Sequence, residues 1–379
     1  MLSSIVWIVL SRVSVNGDLQ ACLQQAERLC AQLHNDHPTV YCATNGHTYN
    51  GSCILRKAIC TEKYVNHHSL RLNATGNHCQ HHVGGQTSTT TQRSLTQAEV
   101  ALYGDITNEI DDRLASSRAK NITPEEALPI FSKQDHAHQS YVRNTKCWAY
   151  SLDLTSISPW NSHNGNRKAG TLVSPRHIIF ARHYSIRLNS TIRFVDRNNR
   201  VVDRRLVKTK PLPNPPGTHG REWLGQSDLV VGLLETDVPS SITFAKVLPK
   251  NLTLIQPPTN VHVPVLSTDF EEKALVADFY SLSRYRGILR TPAGTSSRSD
   301  YFEPKIVGDS GNPSFFVIHD DLVLLFVFTF GGAGSGSSIV YHYDEINLLM
   351  SQLGGGYQLT DVDLSAFIGT HAPSQVILG

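Results

Sequence analysis

The chain has few charged residues, almost no net charge and no long apolar run. Charged side chains make up 17% of its 379 residues, against roughly 25% in an average soluble protein. The net charge of +2 gives no electrostatic reason to expect a nucleic-acid partner. No run approaches the ~20 apolar residues of a membrane span, so we expect none. The length instead predicts a globular protein of two or more domains.

Cysteine is nearly absent beyond residue 80, where Cys147 stands alone. The other six cysteines cluster near the N-terminus, at Cys22, Cys30, Cys42, Cys53, Cys60 and Cys79. A dense cluster of even number predicts a disulfide framework and an oxidising compartment. Cys147 is then either a buried free thiol or an intermolecular link.

Two further features favour secretion. An apolar run over residues 5–10 predicts a signal peptide over residues 1–17. Because no Lys or Arg precedes this run, the alternative is a truncated or mis-started N-terminus. N-glycosylation sequons, which also arise by chance, occur at Asn50, Asn73, Asn121, Asn189 and Asn251.

Residues 18–80 form a small cysteine-rich module. Asn45-Gly46 predicts a hairpin turn. Residues 52–63 predict a short helix with Cys53 and Cys60 on nearly the same face, since seven residues are close to two turns. Spacing alone leaves the pairing of the six cysteines open.

The same module resembles the Kazal and follistatin-type inhibitor family. Cys42 is followed after six residues by Tyr49, and after three more by Cys53, with Cys60 on the helix. The resemblance implies a protease-binding loop with its scissile bond near Gln32-Leu33. Because that loop is longer than inhibitors usually have, we favour a binding or spacing module over an inhibitor with a protease partner. The implied disulfides are Cys22–Cys60, Cys30–Cys53 and Cys42–Cys79.

Residues 81–93 are rich in Gly, Gln, Ser and Thr and predict a flexible linker. Residues 94–146 predict a helical spacer, the alternative being a pro-segment or docking element. Ser94-Leu95-Thr96-Gln97 matches a capping box, and Thr123-Pro124-Glu125-Glu126 predicts a second, short helix. Apolar residues with helical spacing follow the first cap at Leu95, Leu102, Ile106, Ile110 and Leu114.

Histidines are frequent in these regions, but no Cys or carboxylate completes a set with metal-ligand spacing. We therefore expect no metal site among them. The histidines concerned are His67, His68, His78, His81, His82, His136 and His138.

Residues 147–379 contain short β-rich runs separated by Gly and Pro turns, a pattern typical of a β-barrel or sandwich. A late helix is predicted from Tyr343 to Leu353, ending at Gly354. Residues 357–379 show no clear pattern. The predicted strands are 170–173, 177–181, 191–195, 228–234, 262–266, 274–281, 315–318 and 322–330.

Three residues in this region suggest nucleophilic catalysis. Ser310 lies between glycines on a predicted tight turn, where the N–H groups of Gly308 and Ser310 can hold an oxyanion. A serine hydroxyl needs a base to take its proton. His183 follows one apolar strand and Asp228 precedes another, so they are the candidate base and acid. We interpret His177, inside its strand, as a structural histidine.

The sequence around these residues resembles the chymotrypsin-like serine peptidases. The histidine, aspartate and serine boxes match in order and spacing at Phe180-Ala181-Arg182-His183-Tyr184, Asp228-Leu229-Val230-Val231-Gly232-Leu233 and Gly308-Asp309-Ser310-Gly311-Asn312-Pro313. The resemblance covers residues 147–353. It implies two antiparallel six-stranded β-barrels with the site between them, and no cofactor. It also implies a pocket base at Pro304, substrate contacts from Thr329, Phe330 and Gly331, and a hydrogen bond between Thr329 and Asp228.

Several positions depart from the family. Tyr184 replaces a Cys, and Asn312 replaces a Gly, although Asn tolerates left-handed backbone. No new N-terminus of the Ile-Val-Gly-Gly kind precedes the histidine box, so Asp309 lacks the amine that the family would supply. Pro304 is not a carboxylate, which argues against Lys or Arg substrates. Glu303 or Lys305 would take its place if the alignment slipped by one.

We predict a mainly β, secreted serine endopeptidase that acts on protein or peptide substrates through His183, Asp228 and Ser310. The N-terminal Kazal-like module would serve in binding or regulation. The alternative is a catalytically inactive secreted binding or protease-inhibitor protein that keeps a peptidase-like scaffold.

Overall fold

The computed structural model describes residues 96–163, 170–215, 226–250, 262–282, 286–290, 298–330 and 334–367, with backbone alone for 280–282 and 286–290. Near the N-terminus it describes the backbone of three strands, β1 (Val40–Ala43), β2 (Thr48–Asn50) and β3 (Leu72–Thr75). The chain divides into two compact units, Met1–Thr91 and Gln92–Gly379. Their boundary falls within the predicted linker.

The three N-terminal strands form an antiparallel sheet in the order β2-β1-β3. Tyr41 pairs with Tyr49, and Cys42 pairs with Thr48. The strands on either side of the predicted Asn45-Gly46 turn are therefore antiparallel neighbours, and the turn itself lies outside the described residues. The predicted signal peptide and short helix lie outside the described residues, as do the side chains of the six clustered cysteines.

The second unit begins with a long helix, α1 (Gln97–Ala119). Thr96 is its N-cap, because the Thr96 hydroxyl accepts from Glu99 N–H while the Glu99 carboxylate accepts from Thr96 N–H. The capping box predicted at Ser94 is thus wrong by two residues. Glu99 is a charged acceptor and makes a stronger hydrogen bond than the amide of Gln97 would. Of the predicted apolar face, Leu102, Ile106, Ile110 and Leu114 are all buried, while Leu95 lies outside the described residues.

The rest of residues 94–146 is not wholly helical. The short helix α2 (Pro124–Ala127) has Thr123 as its N-cap and proline in its first turn, as predicted. Two strands that the sequence did not predict follow it, β4 (Phe131–Asp135) and β5 (Ser140–Arg143), which pair as a hairpin. This segment belongs to the same compact unit as the later strands, so it is more than a spacer.

The remaining chain is mainly β and builds two six-stranded antiparallel sheets. The first has the order β6-β9-β10-β11-β8-β7. Just before β6, Ile157 bridges Thr171 of β7, so the chain links the two edges of this sheet. Its strands are β6 (Trp160–Asn161), β7 (Thr171–Leu172), β8 (His177–Ala181), β9 (Thr191–Val195), β10 (Val201–Pro211) and β11 (Leu229–Leu234).

The second sheet has the order β16-β15-β12-β13-β14-β17. After β16, Phe330 bridges Ser335 of β17, which again links the sheet edges. Helix α1 packs on β12 and β15. The strands are β12 (Val263–Thr268), β13 (Ala274–Leu282), β14 (Arg286–Arg290), β15 (Pro313–Ile318), β16 (Asp321–Val327) and β17 (Ser335–Ser337).

A single apolar cluster joins the two sheets. It contains Ala181 and Val231 from the first sheet and Phe315 and Val327 from the second. Helix α3 (Tyr343–Leu353) ends at Gly354 as predicted and packs on β10 and β11. None of the helices in the described ranges is long and apolar enough to cross a membrane.

Candidate active site

The first sheet brings His183 and Asp228 together at one end. Strands β8 and β11 are antiparallel neighbours, and Leu229 pairs with Ala181. His183 lies in a short 3-10 helix directly after β8, and Asp228 directly precedes β11. Every residue of the two strands is buried. The two polar side chains therefore stand at the ends of rigid apolar strands, which limits their movement.

Ser310 approaches this pair from the second sheet, in the turn just before β15. Gly311, next in the chain, has a φ of +87°, and a Cβ on it would lie 3.6 Å from the backbone nitrogen of Ala181. Glycine adopts this left-handed conformation without strain. The turn can therefore run against the end of β8 and bring Ser310 to His183.

A continuous hydrogen-bond chain joins the three side chains. His183 Nδ1 lies 2.6 Å from Asp228 Oδ2, and His183 Nε2 lies 2.7 Å from Ser310 Oγ. Since a carboxylate can only accept, Nδ1 carries the proton and Nε2 is left to accept from the serine hydroxyl. Asp228 is fully buried, while the His183 side chain is 25% exposed. The acid is thus shielded and the base is open to a substrate.

Asp228 is held by its backbone as well as its carboxylate. Its Oδ1 accepts from the backbone N–H of His183 at 2.8 Å. Its own N–H donates to Ser337 Oγ, also at 2.8 Å. The predicted hydrogen bond from Thr329 is not present, and the buried Thr329 hydroxyl has no partner among the described residues. Ser337 takes that position because β17 returns the chain beside Asp228.

The turn before Ser310 holds two backbone donors that have no acceptor among the described residues. Gly308 has a φ of +117°, a conformation that residues with a side chain rarely adopt. Neither Gly308 N–H nor Ser310 N–H donates to an acceptor within the described part of the chain. These are the two groups that the sequence assigned to an oxyanion hole.

Asp309, between those two donors, is 1% exposed. Its Oδ1 accepts from the backbone N–H of Phe270 at 2.9 Å, and its Oδ2 accepts from that of Ile306 at 2.8 Å. The sequence suggested no partner for the Asp309 carboxylate. In the structure it has two, and both are backbone N–H groups.

The predicted pocket base is not enclosed. Pro304 is exposed. The charged residues beside it are occupied: Glu303 forms an ion pair with Lys273, and Lys305 Nζ donates to the Thr268 carbonyl. Neither is therefore a free charge for a basic or acidic substrate side chain.

Apolar side chains are exposed instead, in the segment just before Ser310 and in the one that follows β16. Val307 is fully exposed, Ile306 is half exposed and Phe330 is about one-third exposed. Thr329 is buried. Gly331, the remaining predicted substrate contact, lies outside the described residues.

The predicted N-glycosylation asparagines are only partly covered by the described residues. Asn121 and Asn189 are exposed, each in a left-handed turn. The side chains of Asn50 and Asn73, and the whole of Asn251, lie outside the described residues.

No group of three His, Cys, Asp or Glu residues within the described ranges could hold a metal ion.

His177 and Cys147 are both buried. His177 Nδ1 lies 2.8 Å from Ser174 Oγ, in keeping with a structural role. Cys147 is a free thiol, and burial raises its pKa to about 12. The thiol is therefore protonated at neutral pH, and the intermolecular link would require it to become exposed.

Sequence reasoning missed three contributors to the site, Ser337 and the backbone N–H groups of Phe270 and Ile306. Ser337 lies in a Ser- and Gly-rich stretch with nothing to distinguish it from its neighbours. Phe270 contributes through its backbone N–H, which leaves no signature in the sequence. No protein-family model matches the chain, and no curated protein sequence is significantly similar to it. The geometry therefore supplies the functional argument.

Proposed function

We propose that the protein is a secreted serine endopeptidase that hydrolyses peptide bonds through an acyl-enzyme. The observation that supports this most directly is the unbroken chain Asp228–His183–Ser310, with both heavy-atom distances below 2.8 Å. The two antiparallel sheets with linked edges are compatible with a pair of six-stranded barrels of the chymotrypsin-like type. The cysteine cluster and N-terminal apolar run support secretion.

The residues divide the reaction between them. Ser310 Oγ attacks the peptide carbonyl carbon as His183 Nε2 takes the hydroxyl proton, and the C–N bond breaks when that proton passes to the leaving amine. Water, deprotonated in turn by His183, then releases the acid product and restores Ser310. Asp228 stabilises the positive imidazolium, and the N–H groups of Gly308 and Ser310 hold the negative oxygen.

The surroundings of Ser310 favour uncharged substrate side chains. Glu303 and Lys305 are both engaged within the protein, while Ile306, Val307 and Phe330 offer apolar surface. We therefore expect cleavage next to apolar residues in preference to Lys or Arg. The Kazal-like module is proposed to bind a partner or regulate the enzyme.

A fluorophosphonate probe tests the activity directly. We expect covalent labelling of the wild type at Ser310, no labelling of Ser310→Ala, and normal labelling of Ser185→Ala, which alters an exposed serine beside His183. Asp228→Asn should lower peptide turnover by about 10³- to 10⁴-fold, because it disturbs the His183 tautomer. A folded wild type that takes no label would instead support the inactive binding protein.

A further inference from the structure

We propose that Asp309 is a positioning residue that keeps the oxyanion turn in its working geometry within a single, uncleaved chain. The inference rests on the proposed peptidase function and concerns its regulation. It predicts that the site is competent without any proteolytic activation step.

The first step of the argument is the fixation of Asp309 itself. Besides its two carboxylate bonds, its backbone N–H donates to the Ile306 carbonyl at 3.2 Å, and its carbonyl accepts from Asn312 N–H at 3.0 Å. A buried carboxylate is tolerated when hydrogen bonds satisfy it. The Ser310 donor lies in the peptide unit that directly follows Asp309, and the Gly308 donor lies one residue before the unit that precedes it, so anchoring Asp309 restricts both.

The second step concerns the loop that supplies Phe270. This loop, Thr268 to Lys273, connects β12 and β13. Asp269 is buried and its Oδ1 accepts from the N–H groups of Glu271 at 3.0 Å and Lys273 at 2.9 Å. The loop therefore has a defined shape of its own, and Phe270 N–H is a preorganised donor.

The third step is that side chains cross-link this loop to the chain just before Ser310. Lys305 Nζ donates to the Thr268 carbonyl at 2.5 Å, and Lys305 is only 9% exposed. Lys273 Nζ reaches both carboxylate oxygens of Glu303, at 2.8 and 2.9 Å. Together with the Asp309 bond, these contacts hold residues 303–309 against the loop at three points.

The fourth step ties the loop to the segment between α2 and β4. Ile130 N–H donates to the Glu272 carbonyl, and Ala274 N–H donates to the Leu128 carbonyl, each at 2.8 Å.

Both donors to the Asp309 carboxylate are backbone N–H groups of residues within the polypeptide, Phe270 and Ile306, and neither is a chain terminus. Asp309 therefore needs no amino group freed by cleavage.

The decisive experiment compares intact and cleaved protein. Purified protein is reacted with the fluorophosphonate probe, and whole-protein mass spectrometry identifies which species carry the label. We expect label on the chain whose bonds from residue 92 onward are all intact. Label only on species cleaved within that region would overturn the inference while leaving the peptidase proposal standing. Label on neither would remove the peptidase proposal and this inference with it.

Asp309→Asn tests the positioning role, with Asp300→Asn as the control, since Asp300 is exposed on the same segment. The carboxylate of Asp309 accepts one backbone N–H on each oxygen. The asparagine amide has a single oxygen, so its NH2 group would face one of these two N–H donors. We expect kcat for a peptide substrate to fall about 10²-fold, as for loss of an oxyanion donor, with KM and the shape of the pH–rate profile unchanged. Asp300→Asn should match the wild type.

A second variant covers the case in which Asp309→Asn fails to fold. Lys305→Met keeps the Asp309 carboxylate and removes one cross-link, and we expect a smaller fall in kcat at unchanged KM. An unchanged kcat in folded Asp309→Asn, or in folded Lys305→Met if the first variant does not fold, would overturn the positioning role.

Discussion

At the scale of single residues, the backbone of Asp228 is held by Ser337, which takes no part in proton transfer. The Asp228 carboxylate faces His183, and the Asp228 backbone N–H points to the Ser337 hydroxyl. Asp228 and Ser337 are both almost completely buried, so water is not at hand to replace a lost bond. Ser335, two residues earlier, is also buried, but its hydroxyl has no partner among the described residues. The two serines form a natural pair for comparison.

Ser337→Ala should destabilise the protein by about 1–3 kcal/mol, because it leaves the Asp228 N–H buried without an acceptor. Ser335→Ala should change stability little, because the Ser335 hydroxyl makes no hydrogen bond with any of the described residues. Urea denaturation of both variants and the wild type measures the difference. Equal stability of the two variants would contradict the role assigned to Ser337.

At the scale of elements, the N-cap of α1 can be tested by mutation. The capping box was predicted at Ser94, and the structure uses Thr96 with Glu99. Thr96→Ala should therefore lower stability by about 1 kcal/mol, the usual value of an N-cap. Ser94→Ala should have little effect. Thermal unfolding of the two variants distinguishes the boxes, and a larger loss in Ser94→Ala would restore the cap predicted from the sequence.

A partly buried ionic network attaches α1 to the second sheet. Arg298 contacts the Asp111 carboxylate of α1 through Nε and Nη2, both at 2.7 Å, and Asp278 of β13 through Nη1 at 2.8 Å. The side chains of Arg298 and Asp278 are 8% and 2% exposed. Residues 94–146 are thereby joined to the β-sheet by charge as well as by apolar contacts.

Arg298→Met should cost about 3–5 kcal/mol, because it leaves the buried Asp278 carboxylate with only the His262 ring beside it among the described residues and removes the ion pair with Asp111. The control is Lys250→Met, which breaks the exposed pair with Asp344 and should cost no more than about 1 kcal/mol. Chemical denaturation gives both values. A small loss in Arg298→Met would mean that the Arg298 ion pairs contribute little to the attachment of α1.

At the scale of the whole molecule, buried histidines should make stability depend on pH. Burial lowers the pKa of His136, His177 and His342 below the ordinary value of 6.5. Below pH 6.5 the unfolded chain binds more protons than the folded one, so folding weakens there. The stability associated with neutral histidines is complete above about pH 6.5 and is lost as the pH falls towards the folded pKa values.

Urea denaturation between pH 8 and pH 5 measures this loss, which is at most about 1.4 kcal/mol per pH unit for each histidine. His342→Gln should flatten the dependence, since Gln does not titrate and can still donate to the Gln226 carbonyl that His342 Nε2 contacts. A flat wild-type profile would contradict the assignment.

Short apolar strands were readable from the sequence and long charged ones were not. Strands β8 and β9 have the predicted bounds because each is a compact β-rich run between turns. The 11-residue strand β10 was missed, since Arg204, Arg205, Lys208 and Lys210 obscure its alternation and only Leu206 is buried. Its pairing with both β9 and β11 makes it a strand.

The sequence by itself determined the chemical types at the candidate site and their order, His183, Asp228 and Ser310, as well as the apolar strands that precede or follow them. Only the tertiary structure decided what supports those side chains. Ser337 and the amides of Phe270 and Ile306 are supplied by chain returns distant in sequence or by backbone groups common to nearly all residues. The environment of Asp309 was likewise visible only after folding, because its partners are amides and not the amine that the resemblance implies.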